Sequence, residues 1–333
     1  VYTDDAGSTM DSQPVTEADG ELFTTAQKWR GALVEAIAEH DDALLARIKR
    51  APDAPHPRAL IPGDPIQRNE QKNALRRFAE AVLDGTAPAR YSAAWDILLR
   101  ARPRITGLHD GARIQPEMRP GAEAIDPADV AELARGLDGS VLVVQGPPGT
   151  GKTYTGAHVI AQLLADGKRI GVTSTSHKAI NNLLCAVEEA VAQRGETFRG
   201  VKKCDGSNGD TRFVSARASS FVENADKNAP FGEYDLVAGT AWLFAREDLA
   251  RVDYLVIDEA GQVALADALA TATNAGNVIL LGDPLQLAHV SLGLHPDGAG
   301  ASVLEHLLGE HGTVPDDRGV FLDRTFRMHP ALS

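Results

Sequence analysis

Cysteine, lysine and long apolar runs are all scarce in this chain. Two cysteines, Cys185 and Cys204, occur in 333 residues. They share no C-x-x-C spacing and lie near no paired histidines, so neither a zinc site nor a disulfide framework is indicated, and a reducing cytoplasm fits that usage. The longest apolar runs, such as Val141–Val144 and Tyr254–Ile257, are strand-sized, far short of the roughly 20 residues that a membrane span requires. No charged n-region followed by an apolar h-region opens the chain, so no secretory leader is expected. A start at Val1 rather than Met reads as a piece of a longer protein. Lysine is outnumbered by arginine, 9 against 24, which suggests GC-rich coding and a bacterial source. Positive charge as a whole is short, with 33 basic against 46 acidic side chains and a net charge of −13. That balance excludes a protein that coats nucleic acid by bulk electrostatics.

What remains is an ordinary globular mixture, 43% hydrophobic and 24% charged, long enough for two domains. Positive charge is local: six arginines against three acids from Arg90 to Arg119, and six basic residues against three acids from Arg194 to Arg217. Either stretch reads as a binding patch or as solvated loops.

Residues 1–20 are acidic and read as a disordered leader, and residues 21–124 read as a helical N-terminal region. Leu22, Leu33, Ile37, Leu44, Leu45 and Ile48 recur at roughly helical spacing, which predicts one or two amphipathic helices from Glu21 to about Arg50. Five prolines between Ala51 and Pro65 mark a linker. Further helices are predicted over Asn69–Leu83 and around Tyr91–Arg100. From about residue 125 to 333 the pattern changes. Asp126 and Pro127 have the form of a helix cap and first turn. Short strands then alternate with helical stretches, at Val141–Gln145, Ile170–Thr173, Leu236–Gly239, Tyr254–Ile257, Val278–Leu281 and Val320–Leu322. Val/Ile/Leu-rich strands separated by helices predict an α/β fold with a parallel sheet covered on both faces. Between Gln193 and Asp235 the periodicity fades, which reads as a long excursion from the sheet.

The first strand runs into Gly146-Pro147-Pro148-Gly149-Thr150-Gly151-Lys152-Thr153 and then into an apolar-periodic helix. This is G-x-x-x-x-G-K-[ST] in its strand-before, helix-after context. The glycines let backbone N–H groups turn around phosphates, Lys152 brings charge to the β- and γ-phosphates, and Thr153 ligates Mg²⁺. The helix N-terminus adds its positive end. Strand Tyr254–Ile257 ends in Asp258 and Glu259. Asp258 can hold Mg²⁺ through water and Glu259 can orient and deprotonate an attacking water. Acids at a strand end are also common helix caps, but here the two motifs support each other. The pair implies ATP and Mg²⁺ as ligands.

The segments that follow narrow the class. "DEAGQ" with Gln262, "LLGDPLQLAHV" with Asp283 and Gln286, and "LDRTFRMHP" with Arg327 resemble, in order, motifs II, III and IV of superfamily 1 helicases. The likeness is to the 5′-to-3′ branch that contains the nonsense-mediated-decay helicase. "TSTSHKAINNLL" resembles motif Ia and "VAGTAW", around Thr240, the next strand-contacting segment. The wording is most similar to bacterial helicases fused to a RecB-like nuclease. The sole E-x-K of the helical half, Glu70-Gln71-Lys72, lies in a helix pattern behind Asp64, so no nuclease is expected in this chain.

The resemblance implies a first RecA-like domain that acts on single-stranded nucleic acid, DNA rather than RNA, and is completed by a second RecA-like domain. It places Gln286 and Arg327 at the γ-phosphate, and Gln262 between phosphate and motif III. Phe326 stands where a ring stacks on adenine, with core packing as the alternative. Ser174, Thr175, Ser176, His177 and Thr240 fall among the strand contacts; the hydroxyl residues could equally be helix caps. Thr175 and His177 stand where the family has Pro and Asn, so altered hydrogen bonding to the strand is expected. Asp129 stands seventeen positions ahead of Gly146, where the family has the glutamine that reads adenine. A carboxylate accepts from N6 but cannot donate to N7. Two other classes stay open: a nucleotide-dependent module that grips nucleic acid or a partner without translocating, and a P-loop kinase, which would not need the Gln286 and Arg327 segments.

Overall fold

The computed structural model describes residues 2–3, 9–10, 33–40, 43–49, 68–120, 122, 124–206, 208–286 and 298–326. The chain divides into two compact units, Val1–Gln67 and Arg68–Ser333.

The first unit is a four-stranded sheet of β1 (Tyr2–Thr3), β2 (Thr9–Met10), β3 (Leu33–His40) and β4 (Ala43–Lys49), in the order β2-β1-β4-β3. The helices expected between Glu21 and Arg50 are therefore replaced by strands wherever that stretch is described, and two strands lie inside the expected disordered leader. The reason is an ambiguity of period. Leu33 and Ile37 are four apart, which suits a helix, but four is also twice the strand repeat. Only two residues separate β3 from β4, and they pair antiparallel from His40 opposite Ala43 to Leu33 opposite Lys49, the arrangement a short hairpin connection favours. The proline-rich linker lies outside the described residues.

The second unit opens with α1 (Asn69–Leu83), α2 (Ala87–Arg90) and α3 (Ser92–Leu99), followed by α4 (Pro127–Arg135) with Asp126 accepting from the Ala128 N–H at its cap. Alternation follows: β5 (Val141–Gln145), α5 (Lys152–Ala165), β6 (Ile170–Thr173), α6 (His177–Gln193), β7 (Gly200–Lys203), β8 (Val222–Ala225), β9 (Leu236–Ala238), α7 (Ala241–Phe244), β10 (Val252–Ile257), α8 (Leu265–Ala272), β11 (Ala275–Gly282), α9 (Val303–Leu308) and β12 (Gly319–Phe321). The eight strands β5–β12 form one parallel sheet in the order β12-β5-β11-β10-β6-β9-β7-β8. This is the RecA-like α/β architecture that the sequence predicts.

Strand side chains alternate between two cores, as the two-residue period requires. Leu142, Val144, Val172, Val256 and Leu281 pack with α4, α5 and α6 on one face. Val141, Val143, Leu255, Ile257 and Leu280 pack on the other, with Phe78, Ala94 and Ile97 of the N-terminal helices. A boundary at 124/125 therefore falls inside one compact unit. Buried Asp96 of α3 fastens that join, accepting from Arg104 Nη1 at 2.6 Å and from Ser140 Oγ, at the foot of β5, at 2.6 Å.

The stretch from Gln193 to Asp235 is also corrected. It contributes β7 and β8 to the sheet edge rather than leaving it. Their sequences, GVKK and VENA, hide the strand because the inward position on β7 is a lysine. The rest of the stretch is pinned by Glu188 of α6, which is buried and accepts from Ser220 Oγ at 2.7 Å, from the Phe221 N–H at 2.6 Å and from Ser215 Oγ.

Candidate functional site

In a parallel sheet all strand C-termini open on one edge, and every segment singled out from the sequence leaves the sheet there. The loop Gly146–Gly151 joins β5 to α5. Gly149 and Gly151 lie in the left-handed region, at φ 85° and 86°. A Cβ on Gly146 would stand 2.3 Å from Thr150 Oγ1, so the loop closes only around glycine. Thr150 Oγ1 donates to the Pro147 carbonyl at 2.9 Å. Lys152 is buried, and its ammonium donates to the Gly146 carbonyl and, at 3.2 Å, to that of Pro147. Its charge thus lies on the loop that the α5 N-terminus faces. Pro148 and Thr153 complete the turn and the first helical residues, with Thr153 half-buried.

Asp258 and Glu259 follow β10, two strands away. Asp258 is buried and its N–H donates to the Thr173 carbonyl at 2.9 Å. Burial first, then the neighbouring Glu259 charge, pushes its carboxyl up to about 6 against the opposing pull of the Glu259 N–H and the Lys152 charge. Glu259 has φ 53° and ψ 41°. A left-handed conformation in a residue other than glycine costs about 1–3 kcal/mol and concentrates at functional sites. Glu259 stands at the cap position of the 3-10 turn Ala260–Gln262 without a side-chain cap bond, and the acid pair does not cap α8, whose cap position is Ala264. A carboxylate buried beside a phosphate loop, with a threonine hydroxyl at the start of α5, is a donor set that suits Mg²⁺ and a nucleotide phosphate.

Two glycines draw the neighbouring loops together. A Cβ on Gly261 would lie 2.4 Å from the Asp283 carbonyl oxygen, and one on Gly282 would lie 2.9 Å from the Gly261 nitrogen. The segment Asp258–Gln262 therefore touches the segment Asp283–Gln286, where half-buried Gln286 donates its N–H to the Asp283 carbonyl at 3.4 Å. Gln262 donates its N–H to the Glu259 carbonyl at 2.8 Å. The Gly146 N–H donates to the Gly282 carbonyl at 3.1 Å. Phosphate loop, acid pair and Gln286 segment thus form one backbone-contacted block. Sequence motifs identify its members, but these spacer glycines are legible only once the strand order is known.

The chain after β12 crosses the phosphate loop, with the Leu322 N–H on the Gln145 carbonyl and the Phe326 N–H on the Gly149 carbonyl, both at 2.8 Å. The Phe326 ring lies over Gly151 and is 66% exposed, which rules out the core-packing alternative. Arg327 lies outside the described residues. Asp129, in the first turn of α4, is bound by Arg119 at 2.8 Å, and Arg119 also pairs with Asp126 at 2.8 Å. A cleft of about 390 Å³, lined by Gln115, Met118, Ile125, Phe321 and Asp323 among others, borders β12. Gln115 contributes little free hydrogen bonding there, because its amide spans the backbone N–H and carbonyl of Phe321.

The strand-facing candidates occupy the other half of the edge, beyond β10. Ser174 is buried, and its hydroxyl, like that of Thr173, has no hydrogen-bond partner among the described residues. Ser176 caps α6, accepting from the Ala179 N–H at 3.1 Å, so the cap reading holds for that hydroxyl. Thr175 is exposed and His177 half-buried. Thr240, at the start of α7, makes no side-chain cap bond. Lys202 was not legible as a site residue: its side chain is fully buried and reaches His177, and nothing in "GVKK" distinguishes it from a solvated lysine.

Fold and site together define a RecA-like α/β domain with a phosphate loop and an adjoining acid pair on one sheet edge. Residues 129–299, just over half of the chain, match the AAA domain family, and the chain belongs to that family. Among curated proteins it is similar to the DNA replication ATP-dependent helicase/nuclease JHS1 of Arabidopsis thaliana, 28% identical over 51% of this chain and 13% of the relative. It is also similar to DNA2, of the same description, from Saccharomyces cerevisiae, 28% identical over 44% of this chain and 10% of that protein. The chain thus spans about a tenth of these relatives' length. Among solved structures, the Arterivirus nonstructural protein 10 helicase with DNA covers 58% of this chain and 38% of its own, at TM-score 0.36 and 16% identity. The Pif1 helicase from Candida albicans covers 60% of this chain and 40% of its own, at TM-score 0.30 and 17% identity.

Proposed function

We propose that this chain is the nucleotide-binding first motor domain of an ATP-dependent helicase that moves on single-stranded nucleic acid, DNA rather than RNA. The observation that carries the reading is the division of one sheet edge: phosphate loop, acid pair and Gln286 at β5, β10 and β11, and the Ser174–His177 and Thr240 segments next to them at β6 and β9. Gly146–Gly151 wraps the phosphates, Lys152 offsets their charge, and Gln286 and Arg327 meet the γ-phosphate. Glu259 orients the attacking water and takes its proton as the oxygen closes on phosphorus. Thr153 and Asp258 hold Mg²⁺, which when bound neutralises charge developing on the phosphate oxygens. Gln262 links this block to the Gln286 segment, and Phe326 stacks on the base. Ser174, Thr175, His177 and Thr240 meet backbone phosphates, and Ser176, whose hydroxyl caps α6, meets them through its backbone N–H, which positions a strand without reading its sequence.

A nuclease elsewhere in the parent protein is supported by the names of the curated relatives. A bacterial source is supported by the arginine bias, and a reducing cytoplasm by the free thiols of Cys185 and Cys204. Among the described residues no helix is long and apolar enough to cross a membrane. A second RecA-like domain supplies a further arginine and the opposing wall of the cleft, and arginines of this kind contribute roughly 10³–10⁵ in rate. Steady-state ATPase with single-stranded DNA is therefore expected to be low for this chain and strongly stimulated once the parent sequence is extended through the next domain. Equal stimulated rates for both would refute the half-site reading, and no stimulation in either would leave a non-translocating module.

A further inference from the structure

The least expected side chain near the strand-facing half is Lys202 of β7, which has no solvent exposure. Its ammonium donates to the Thr211 carbonyl and lies 3.2 Å from His177 Nδ1. An ammonium has donors only, so the contact requires His177 Nδ1 to be the acceptor, and an imidazole that accepts at Nδ1 carries its proton at Nε2. Burial first, then the positive charges of Lys202 and Lys203, holds the ring's pKa below the ordinary histidine range. Burial also pushes Lys202 down to about 8, which leaves it mainly an ammonium at neutral pH. The ring is half-buried and follows the α6 cap residue Ser176, close in sequence to the unpartnered Ser174 hydroxyl.

We propose that Lys202 locks His177 as the neutral Nε2–H tautomer, so that the ring serves as an uncharged hydrogen-bond donor to a backbone phosphate of the bound strand. Lys202 is a positioning residue that acts through His177. The proposal rests on the strand reading given above and adds the chemistry of the contact. A neutral donor grips a phosphodiester without releasing a counterion, so this contact contributes nothing to the salt dependence of binding and does not strengthen as pH falls from 8 to 6.

The test begins with ¹⁵N-histidine-labelled protein, the full 333-residue chain, with His177→Gln to assign the ring. A bare Nδ1 and a protonated Nε2 from pH 8 to pH 6 are expected. An Nδ1–H tautomer, or an imidazolium in that range, would overturn the lock. Binding of a fluorescent oligo-dT strand then tests the phosphate contact. His177→Phe is expected to weaken binding about tenfold or more, with an unchanged salt slope. His177→Gln, whose amide nitrogen replaces the Nε2 donor, should recover most of that loss. Lys202→Met frees the ring to protonate, so its binding should tighten from pH 8 to pH 6 and its salt slope at pH 6 should steepen by about 0.7. A Gln variant as weak as Phe, or a Lys202→Met variant that is folded by its melting curve and still indifferent to pH, would overturn the contact. The ¹⁵N and Gln measurements stand if Lys202→Met does not fold. Absence of oligo-dT binding by the unaltered chain would overturn the strand reading and the phosphate contact with it, while the ring spectrum decides the lock separately.

Discussion

Gly261→Ala is the substitution that most directly tests how the catalytic block is held together. The added methyl would stand 2.4 Å from the Asp283 carbonyl oxygen and 3.0 Å from its carbon, roughly 1 Å inside van der Waals contact. The obstructing atoms are backbone, so no rotamer change relieves the overlap, and the loop after β10 must part from the loop after β11. Overpacking of this kind costs about 1–3 kcal/mol. A shift of about 2–4 °C in melting temperature per kcal/mol gives a fall of roughly 2–12 °C, reduced slightly by the lower chain entropy of alanine in the unfolded state. The separation also moves Glu259 away from Gln286, and a misplacement of about 1 Å lowers turnover on the order of 100-fold. Gly209→Ala is the control, because no atom lies within 4 Å of its Cβ and its φ is not positive. Differential scanning fluorimetry and stimulated ATPase of the domain-extended protein give both readouts. If Gly261→Ala melts and turns over like Gly209→Ala, the two loops do not depend on that contact and the coupled block is wrong.

The remaining predictions concern the nucleotide. Lys152→Ala should abolish most nucleotide affinity, whereas Glu259→Gln should bind nucleotide normally and lose turnover, because one residue carries phosphate charge and the other handles the water; titration with a fluorescent ATP analogue separates them, and equal loss of binding in both contradicts the roles. ATP should be preferred over GTP only weakly, because Asp129 is held by Arg119 and an amide contact worth about 1–3 kcal/mol in comparable base readout is missing. A preference of about a hundredfold or more in competition titrations would mean that another group reads the base.

The parts legible in the sequence are those where backbone geometry demands a particular residue type. Gly149 and Gly151 need positive φ, Lys152 and Thr153 open a helix at a phosphate loop, and Asp258 and Glu259 end a strand of continuous apolar residues. Each of those requirements leaves a fixed spacing. The Asn69–Leu83 helix was legible because Ala74, Leu75, Phe78, Ala81 and Val82 keep the 3.6-residue spacing on one face. The β3–β4 pair was not, because a few apolar residues four apart fit both periods and only long-range pairing decides. Lys202 and Asp96 were hidden for the opposite reason. A charged residue in a short segment reads as solvent-facing, and its burial is stabilised by partners that adjoin it only after folding: Thr211 and His177 for the lysine, Arg104 and Ser140 for the aspartate. The same holds for Asp129, whose departure from the family pattern is visible in the sequence, while its capture by Arg119 ten residues earlier depends on how the Arg113–Asp126 loop returns to α4. Motif spacing thus marked the loops proposed for phosphate chemistry, and folded geometry was needed for the buried hydrogen bonds, ion pairs and glycine contacts that decide how firmly each group is held.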